Sequence, residues 1–260
     1  MKFNPLEAPA VARGDMIDGL RKGLEVITAF DDATPRLTQS ELAQRLDLSR
    51  AAARRYLMTL TALGYMATDG KSFWLTPKVM RLGHSYLASA RLPRTVLPAL
   101  QRITESIGES TNLAVLEDRD AVYISRVSAP KLLSTLIEPG TRLPAHTSAA
   151  GRLLLSRLPE PTLDDWLERT TLQAYTDHTI TDKRELRLEL IKTRAQGYCM
   201  VEGQYELGLR GIAVPLVDGT GNTVGALSAS MSVAAMSPSA SLRRCLPPLQ
   251  AAAEDLRAKL

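Results

Sequence analysis

Three arginines at helical spacing have the side chains and placement needed to bind nucleic acid. Arg50, Arg54 and Arg55 fall in one predicted helix, and no acidic residue occurs between Asp47 and Asp69. Guanidinium groups bind phosphates and the edges of guanine, and a helix fits the major groove of DNA. The same stretch also has apolar residues at helical spacing, which predict a buried face: Ala53, Leu57, Leu60 and Leu63.

Two capped helices joined by a tight turn must position these arginines. Thr38 and Glu41 are spaced as a capping box, which predicts the start of a first helix. Ser49 is a typical N-cap residue for the second helix. Between them, Asp47 is one of the few residues besides glycine that adopt a left-handed backbone conformation. The pattern predicts a helix-turn-helix, although a two-helix hairpin with a solvated basic face also fits it.

A predicted β-hairpin directly follows the second helix. Short runs at 65–68 and 71–75 flank Asp69-Gly70, which is a common hairpin turn. A hairpin in this place is typical of a wing and favours the DNA-binding interpretation. Lys71 at its tip would meet backbone phosphate. We therefore expect these residues to contact DNA: Thr38, Ser49, Arg50, Ala51, Arg54, Arg55 and Lys71.

The length and composition set wider bounds. The 260 residues are 45% hydrophobic, which is enough for two domains with packed cores. The net charge of +4 permits a nucleic-acid partner but does not prove one. Two cysteines do not make a disulfide framework, and we see neither a membrane span nor a signal peptide. These features predict a cytoplasmic protein without a membrane partner.

The pattern of apolar runs divides the chain into segments. We expect a disordered tail at 1–15, a winged helix-turn-helix domain at 16–76, a linker helix at 77–93 and a second domain at 94–260. In that last segment, strand pairs alternate irregularly with helices, which predicts an α+β fold with an antiparallel sheet. The predicted strands are 112–116, 122–127, 132–137, 210–217 and 223–231. The predicted helices are 97–107, 149–157, 181–196 (capped by Thr181) and 238–259.

The chain resembles the IclR-type bacterial transcriptional regulators over nearly its whole length. The residues that carry this resemblance are the winged helix-turn-helix, the stretch Gly140 to Arg152, Gly197-Tyr198, and Glu206 to Pro215. Within the family it is similar to the protocatechuate, 4-hydroxybenzoate and β-ketoadipate regulators. The resemblance implies a linker helix, a GAF-like effector domain with a six-stranded antiparallel sheet, and assembly as a homodimer or a dimer of dimers. It also implies double-stranded operator DNA and a small aromatic or dicarboxylic acid as partners.

The effector site is expected at the start of the helix near Ala149. Thr147 and Ser148 are cap-type residues, and the free backbone N–H groups after them would bind a carboxylate. An ordinary capped helix packed on a sheet is the alternative interpretation. The resemblance implies a pocket lined by Leu132, Thr135, Leu143, Ala149, Ala150, Leu209, Gly211, Ser228 and Ser230.

Within that set, Ser228 and Ser230 alternate along one strand and therefore share a face. Gly211 replaces a bulkier residue of some relatives, which would leave room for an effector of more than three carbons. Arg126 and His146 are further candidates for binding an anion. As alternatives, Arg126 would form a surface ion pair, and His146 would be an interior histidine whose ring nitrogens are hydrogen-bonded within the protein.

Enzyme chemistry and metal binding are not indicated. Ser128 and Lys131 match S-x-x-K, but the companion motifs of penicillin-binding enzymes are absent from the sequence. Three histidines and two cysteines are too scattered for a zinc site. We therefore expect no catalysis, cofactor or metal.

An architectural DNA-binding protein whose second domain only mediates assembly is the alternative function. The apolar stripe expected to support assembly, with packing inside one subunit as its alternative, is Val79, Leu82, Tyr86 and Leu87.

Overall fold

The computed structural model describes residues 14–31, 33–130 and 137–260, which form two compact units divided between Ser89 and Ala90. The elements of the first unit are α1 (Asp18–Thr28), β1 (Leu37–Thr38), α2 (Gln39–Arg45), α3 (Arg50–Ala62), β2 (Met66–Thr68), β3 (Ser72–Leu75), a 3₁₀ turn (Pro77–Val79) and α4 (Met80–Ser89). Its core is formed mainly by one face of α1, α2 and α3 and by the wing: Val26, Leu42, Ala53, Leu57, Met66 and Phe73.

The predicted helix-turn-helix and wing are present. Thr38 and Glu41 form both halves of a capping box at α2, and the Ser49 hydroxyl accepts from the N–H of Ala52 at 3.1 Å. Asp47 has a φ of +49°, the left-handed conformation expected at the turn. The sheet order is β1-β3-β2, in which the two-residue strand β1 was not predicted. Such a short strand has no measurable apolar alternation and exists because it pairs with β3.

The helix boundary near the linker differs from the prediction. The helix expected to run to residue 93 ends at Ser89, and a new helix begins at Arg91. The predicted linker helix ended at Pro93. However, a proline is tolerated in the first turn of a helix, where its missing N–H has no intrahelical partner. Pro93 therefore lies inside the next helix.

The elements of the second unit are α5 (Arg91–Ile107), β4 (Ser110–Glu117), β5 (Asp120–Val127), β6 (Arg142–Pro144), a 3₁₀ turn (Ala145–Thr147), α6 (Ala149–Ser156), α7 (Glu160–Arg169), α8 (Lys183–Gln196), β7 (Cys199–Glu202), β8 (Leu209–Val217), β9 (Thr223–Ser232) and α9 (Pro238–Arg257). The described strands form one six-stranded sheet, antiparallel throughout, in the order β6-β5-β4-β9-β8-β7. The α+β class and the six-stranded antiparallel sheet are therefore confirmed.

Both faces of this sheet are covered. Side chains of the strands alternate between a core shared with α6 and α8 and a second core shared with α5 and α9. Ala213 and Ala226 point to the first core, whereas Ile212 and Leu227 point to the second. The small residues on the α6 side allow the helix to approach the sheet closely.

The N-cap of α8 differs from the prediction. Thr181 does not cap α8, because the Asp182 carboxylate accepts from the N–H groups of Arg184 and Glu185 at 2.8 and 2.9 Å. The strand predicted at 132–137 falls outside the described residues except for Ile137. Of the helices that the structure describes, none is long and apolar enough to cross a membrane.

Candidate functional site

A cavity lies between the start of α6 and the sheet. The cavity has a volume of about 30 Å³, which is room for ordered water, so its wall must open further to admit a small molecule of the size held by sites of about 300–1,000 Å³. The structure brings seven of the predicted effector residues together in its wall: Leu143, Ala149, Ala150, Leu209, Gly211, Ser228 and Ser230. Their role in binding remains a prediction.

The helix side of the cavity offers backbone donors. The Ser148 hydroxyl accepts from the N–H of Gly151 at 3.0 Å and so satisfies one early donor of α6. The N–H groups of Ala149 and Ala150 have no acceptor among the described residues. A Cβ on Gly151 would lie 2.3 Å from the carbonyl oxygen of Ala145, so only glycine lets α6 pack against the preceding turn. The arrangement exposes the positive end of a helix to the cavity.

The sheet side offers hydroxyl groups backed by a polar row. In the strand register, Ser228 lies opposite Asn112, and Asn112 lies opposite Arg126. The buried Asn112 amide donates to the Ser230 hydroxyl at 3.1 Å and more weakly to Ser228 at 3.5 Å. Its oxygen accepts from the Arg126 guanidinium at 2.9 Å. Partial burial lowers the pKa of Arg126 from its ordinary value.

Arg126 and His146 are not among the described residues of the cavity wall. The Arg126 guanidinium donates to the oxygen of Asn112, and its contact with a ligand stays a prediction. His146 is buried, and its Nε2 donates to the carbonyl oxygen of Gln173 at 3.0 Å. Burial lowers the pKa of His146, so it is held as a neutral interior histidine. Leu132 and Thr135 lie outside the described residues.

Several wall residues were not predicted from the sequence: Tyr123, Ile137, Val201, Gln204, Tyr205 and Ala229. Gln204 and Tyr205 lie in the loop between β7 and β8, so their approach to the cavity depends on tertiary structure. Tyr123 is hydrogen-bonded to Ser148, and burial raises its pKa to about 12. It therefore remains a neutral phenol at physiological pH. The polar residues Ser110 and Asn112 lie opposite Ser230 and Ser228 in the strand register. Two polar residues at alternate positions of an otherwise apolar strand could have indicated a polar row behind the cavity.

The predicted DNA-binding residues lie on the first unit. Arg50, Arg54 and Arg55 are exposed on α3, and no hydrogen bond or ion pair within the described residues engages their side chains. Ala51 is exposed beside them, and Lys71 is exposed at the wing turn. The hydroxyls of Thr38 and Ser49 both serve as helix caps. The surface is thus a basic helix face next to a wing.

Neither titratable clusters nor thiols point to another chemistry. Within the described part of the chain, no three His, Cys, Asp or Glu side chains are grouped so that they could hold a metal ion. Both cysteines are buried and unpaired by disulfides, and burial raises the pKa of Cys199 to about 11. A thiol in such surroundings is a poor nucleophile.

Comparison with known proteins adds two family matches. Residues 19–70 match the IclR helix-turn-helix domain, and residues 84–258 match the C-terminal domain of bacterial transcriptional regulators of the IclR type. The chain is 40% identical over 243 residues to the Pca regulon regulatory protein of Pseudomonas putida, covering 93% of this chain and 84% of that protein.

Two other matches extend over nearly the full length. The p-hydroxybenzoate hydroxylase transcriptional activator of Acinetobacter baylyi is 35% identical over 259 residues, which are 98% of this chain and 96% of that protein. A crystal structure of an IclR homologue complexed with 4-hydroxybenzoate, from Microbacterium hydrocarbonoxydans, has a TM-score of 0.73 and 26% identity, covering 92% of this chain and 99% of that one. These relatives confirm the expected subgroup, and the curated ones are regulators of transcription, not enzymes.

Proposed function

This chain belongs to the IclR family of bacterial transcriptional regulators, and we propose that it controls genes of aromatic-acid catabolism in response to a small carboxylic acid. The subgroup supports the choice of pathway, because two relatives are named for the Pca regulon and for p-hydroxybenzoate hydroxylase. The Microbacterium homologue complexed with 4-hydroxybenzoate supports the choice of ligand class.

One observation carries the proposal for this chain. Ala149 and Ala150, whose backbone N–H groups have no acceptor among the described residues, line the same cavity as Ser228 and Ser230. The leucines of the wall add an apolar surface, so the chemistry of the lining suits a ligand with an anionic end, an apolar body and a second polar group. Hydroxybenzoates and short dicarboxylates such as β-ketoadipate meet that description.

The DNA partner is double-stranded operator DNA, read by the exposed arginines of α3. One basic helix binds one half-site, so useful affinity requires two copies at a spacing set by the symmetry of the protein. We therefore propose a homodimer or a dimer of dimers acting in the bacterial cytoplasm, where its operator is found. The effector changes DNA affinity only through its differential binding to two conformations, so the coupling is finite and reciprocal.

Ligand-dependent thermal unfolding of the full-length protein tests the proposal. The probes are 4-hydroxybenzoate, protocatechuate and β-ketoadipate. A ligand present at a hundred times its Kd stabilises the folded form by about 2.7 kcal/mol, so at least one probe should raise the Tm clearly. Ala150→Trp should fill the cavity and abolish this response while leaving operator binding through the first unit intact.

Ala235→Trp is the matched control, because Ala235 is exposed and lies outside the cavity wall. It should respond to the probes as the wild type does. If the wild-type protein binds DNA but no carboxylic acid stabilises it, the second unit serves assembly alone. If an effector binds Ala150→Trp with unchanged affinity, the pocket lies elsewhere.

A further inference from the structure

Each of two side-chain amides near the cavity accepts a hydrogen bond from an arginine: Asn112 from the half-buried Arg126, and Gln204 from the buried Arg152. The oxygen of Asn112 accepts from the Arg126 guanidinium at 2.9 Å. The oxygen of Gln204, which lines the cavity, accepts from the Arg152 guanidinium at 2.5 Å and from the N–H of Ile180 at 2.8 Å. A guanidinium group only donates hydrogen bonds. Each arginine therefore fixes its amide with the oxygen toward the arginine and the NH₂ group away from it.

The orientation of Asn112 determines what the serines present to the cavity. Its NH₂ group donates to the oxygens of Ser230 and Ser228. A hydroxyl oxygen that accepts a hydrogen bond keeps its own proton for another partner. Neither serine proton has an acceptor among the described residues, and both serines line the cavity. Both hydroxyls are therefore available as donors to a ligand.

The same reasoning applies to the loop side of the cavity. The oxygen of Gln204 is already occupied by two donors, so its NH₂ group is the polar group left for a ligand. Arg152 is only 4% exposed, and it donates to the carbonyl oxygen of His146 and to the amide oxygen of Gln204, without an ion pair to a described carboxylate. Guanidinium stays charged even when buried, so a positive charge, within electrostatic range of Glu185 and Glu189, lies behind the Gln204 amide.

We propose that Arg126 and Arg152 act as positioning residues, which make Ser228, Ser230 and Gln204 hydrogen-bond donors toward the cavity and so select a ligand whose polar group beside them accepts hydrogen bonds. The serine hydroxyls, the Gln204 amide and the backbone N–H groups of α6 then suit a second carboxylate, a keto oxygen or a phenolic oxygen beside the first carboxylate. An amino group in that place would leave a buried donor facing another donor. This inference rests on the proposed function and specifies its ligand.

Isothermal titration calorimetry with a nearly isosteric pair of ligands tests the inference. The full-length protein is titrated with 4-hydroxybenzoate and with 4-aminobenzoate, which share the carboxylate and differ in the para group. The wild type should prefer 4-hydroxybenzoate about tenfold or more, because an unpaired buried donor is costly. Asn112→Asp places an acceptor behind the serines, which reverses their hydrogen bonds and should shift the affinity ratio at least about tenfold toward 4-aminobenzoate.

Substitutions of the arginine separate positioning from general stability. Arg126→Met leaves the Asn112 amide free to turn, so the affinity ratio should fall toward one, while Arg126→Lys keeps a donor and should restore the wild-type preference. Arg187→Met is the matched control, since Arg187 pairs with Glu160 on the surface and is absent from the cavity wall. A merely structural role would weaken both ligands equally and leave the ratio unchanged.

The outcomes distinguish this inference from the proposed function. A wild-type protein that binds no carboxylic acid at all would overturn the proposed function. If it binds both benzoates equally, or if neither Asn112→Asp nor Arg126→Met changes the ratio, the assignment of the serines and the Gln204 amide as donors is wrong and the proposed function stands. If only β-ketoadipate binds, its β-amino analogue replaces 4-aminobenzoate in the pair. The Arg126 variants decide the matter should Asn112→Asp fail to fold.

Discussion

Gly211 keeps open the space in front of α6, and a single added methyl group there would test the pocket directly. A Cβ at this position would lie 3.1 Å from the Cβ of Ala149 and 3.9 Å from its backbone nitrogen. Carbon atoms attract best at about 3.5–4.0 Å, so α6 would have to retreat slightly from the sheet. The methyl group would also stand beside the N–H that a carboxylate needs.

The expected magnitudes follow from these contacts. Overpacking costs about 1–3 kcal/mol of stability, and replacing a strand glycine by alanine returns about 0.5–1 kcal/mol. Gly211→Ala should therefore lower the free energy of unfolding by no more than about 2.5 kcal/mol. Losing one hydrogen bond to a charged ligand costs about 1.5–3 kcal/mol. The affinity for 4-hydroxybenzoate should consequently fall about 10- to 150-fold.

Calorimetry and thermal unfolding measure the two effects separately. Gly225→Ala is the control, because its Cβ would lie 3.0 Å from the carbonyl oxygen of Ala114 and 3.1 Å from Leu113, outside the cavity wall. It should lose similar stability and keep its ligand affinity. The reasoning is refuted if Gly211→Ala binds as tightly as the wild type, or if both glycine variants lose affinity equally.

Three further predictions concern DNA binding, assembly and pH. Arg50→Ala or Arg54→Ala should cost about 1–3 kcal/mol in operator binding and relax discrimination at one position, whereas Arg55→Ala should weaken all sequences alike and reduce the salt slope by about one. Binding assays at several salt concentrations check this, and an unchanged affinity of the triple variant would contradict the assignment of α3. Leu82 is 45% exposed on α4, so Leu82→Glu should weaken self-association and DNA binding together; a wild-type monomer in sedimentation at micromolar concentration would rule this out. Burial lowers the pKa of His146, so its stabilising effect is present above its ordinary pKa of 6.5 and is lost as the pH falls through the folded value. Between about pH 7.5 and about pH 5.5, the Tm of the wild type should therefore fall more than that of His146→Gln, and equal falls would refute the argument.

The features that the sequence predicted well depend on neighbours within a few residues. The caps at Thr38, Ser49 and Ser148 each join a side chain to a backbone group two or three positions along the chain. Asp47 and the turn at Asp69-Gly70 are likewise determined by local backbone preferences. Such interactions are encoded in short windows, so the winged helix-turn-helix and the start of α6 were visible without the fold.

The features that were missed depend on residues far apart in the chain. Asn112 and Ser230 are separated by 118 positions and meet only because β4 pairs with β9. Gln204 reaches the cavity through a loop whose path the sequence does not dictate. The register of β4 and β5 places Arg126 opposite Asn112, a neighbour that the sequence alone does not identify. A one-dimensional pattern predicts the face of a strand but not the partner across it.

The close packing at Gly151 also limits how this pocket can evolve. A side chain there would collide with the backbone of Ala145, and backbone has no alternative rotamer with which to make room. The wall residues Leu143, Val201 and Leu209 contribute side chains, which can be exchanged while the backbone hydrogen bonds of the sheet persist. In a library selected for response to a new inducer, the surviving sequences should therefore differ at 143, 201 and 209 and share glycine at 151.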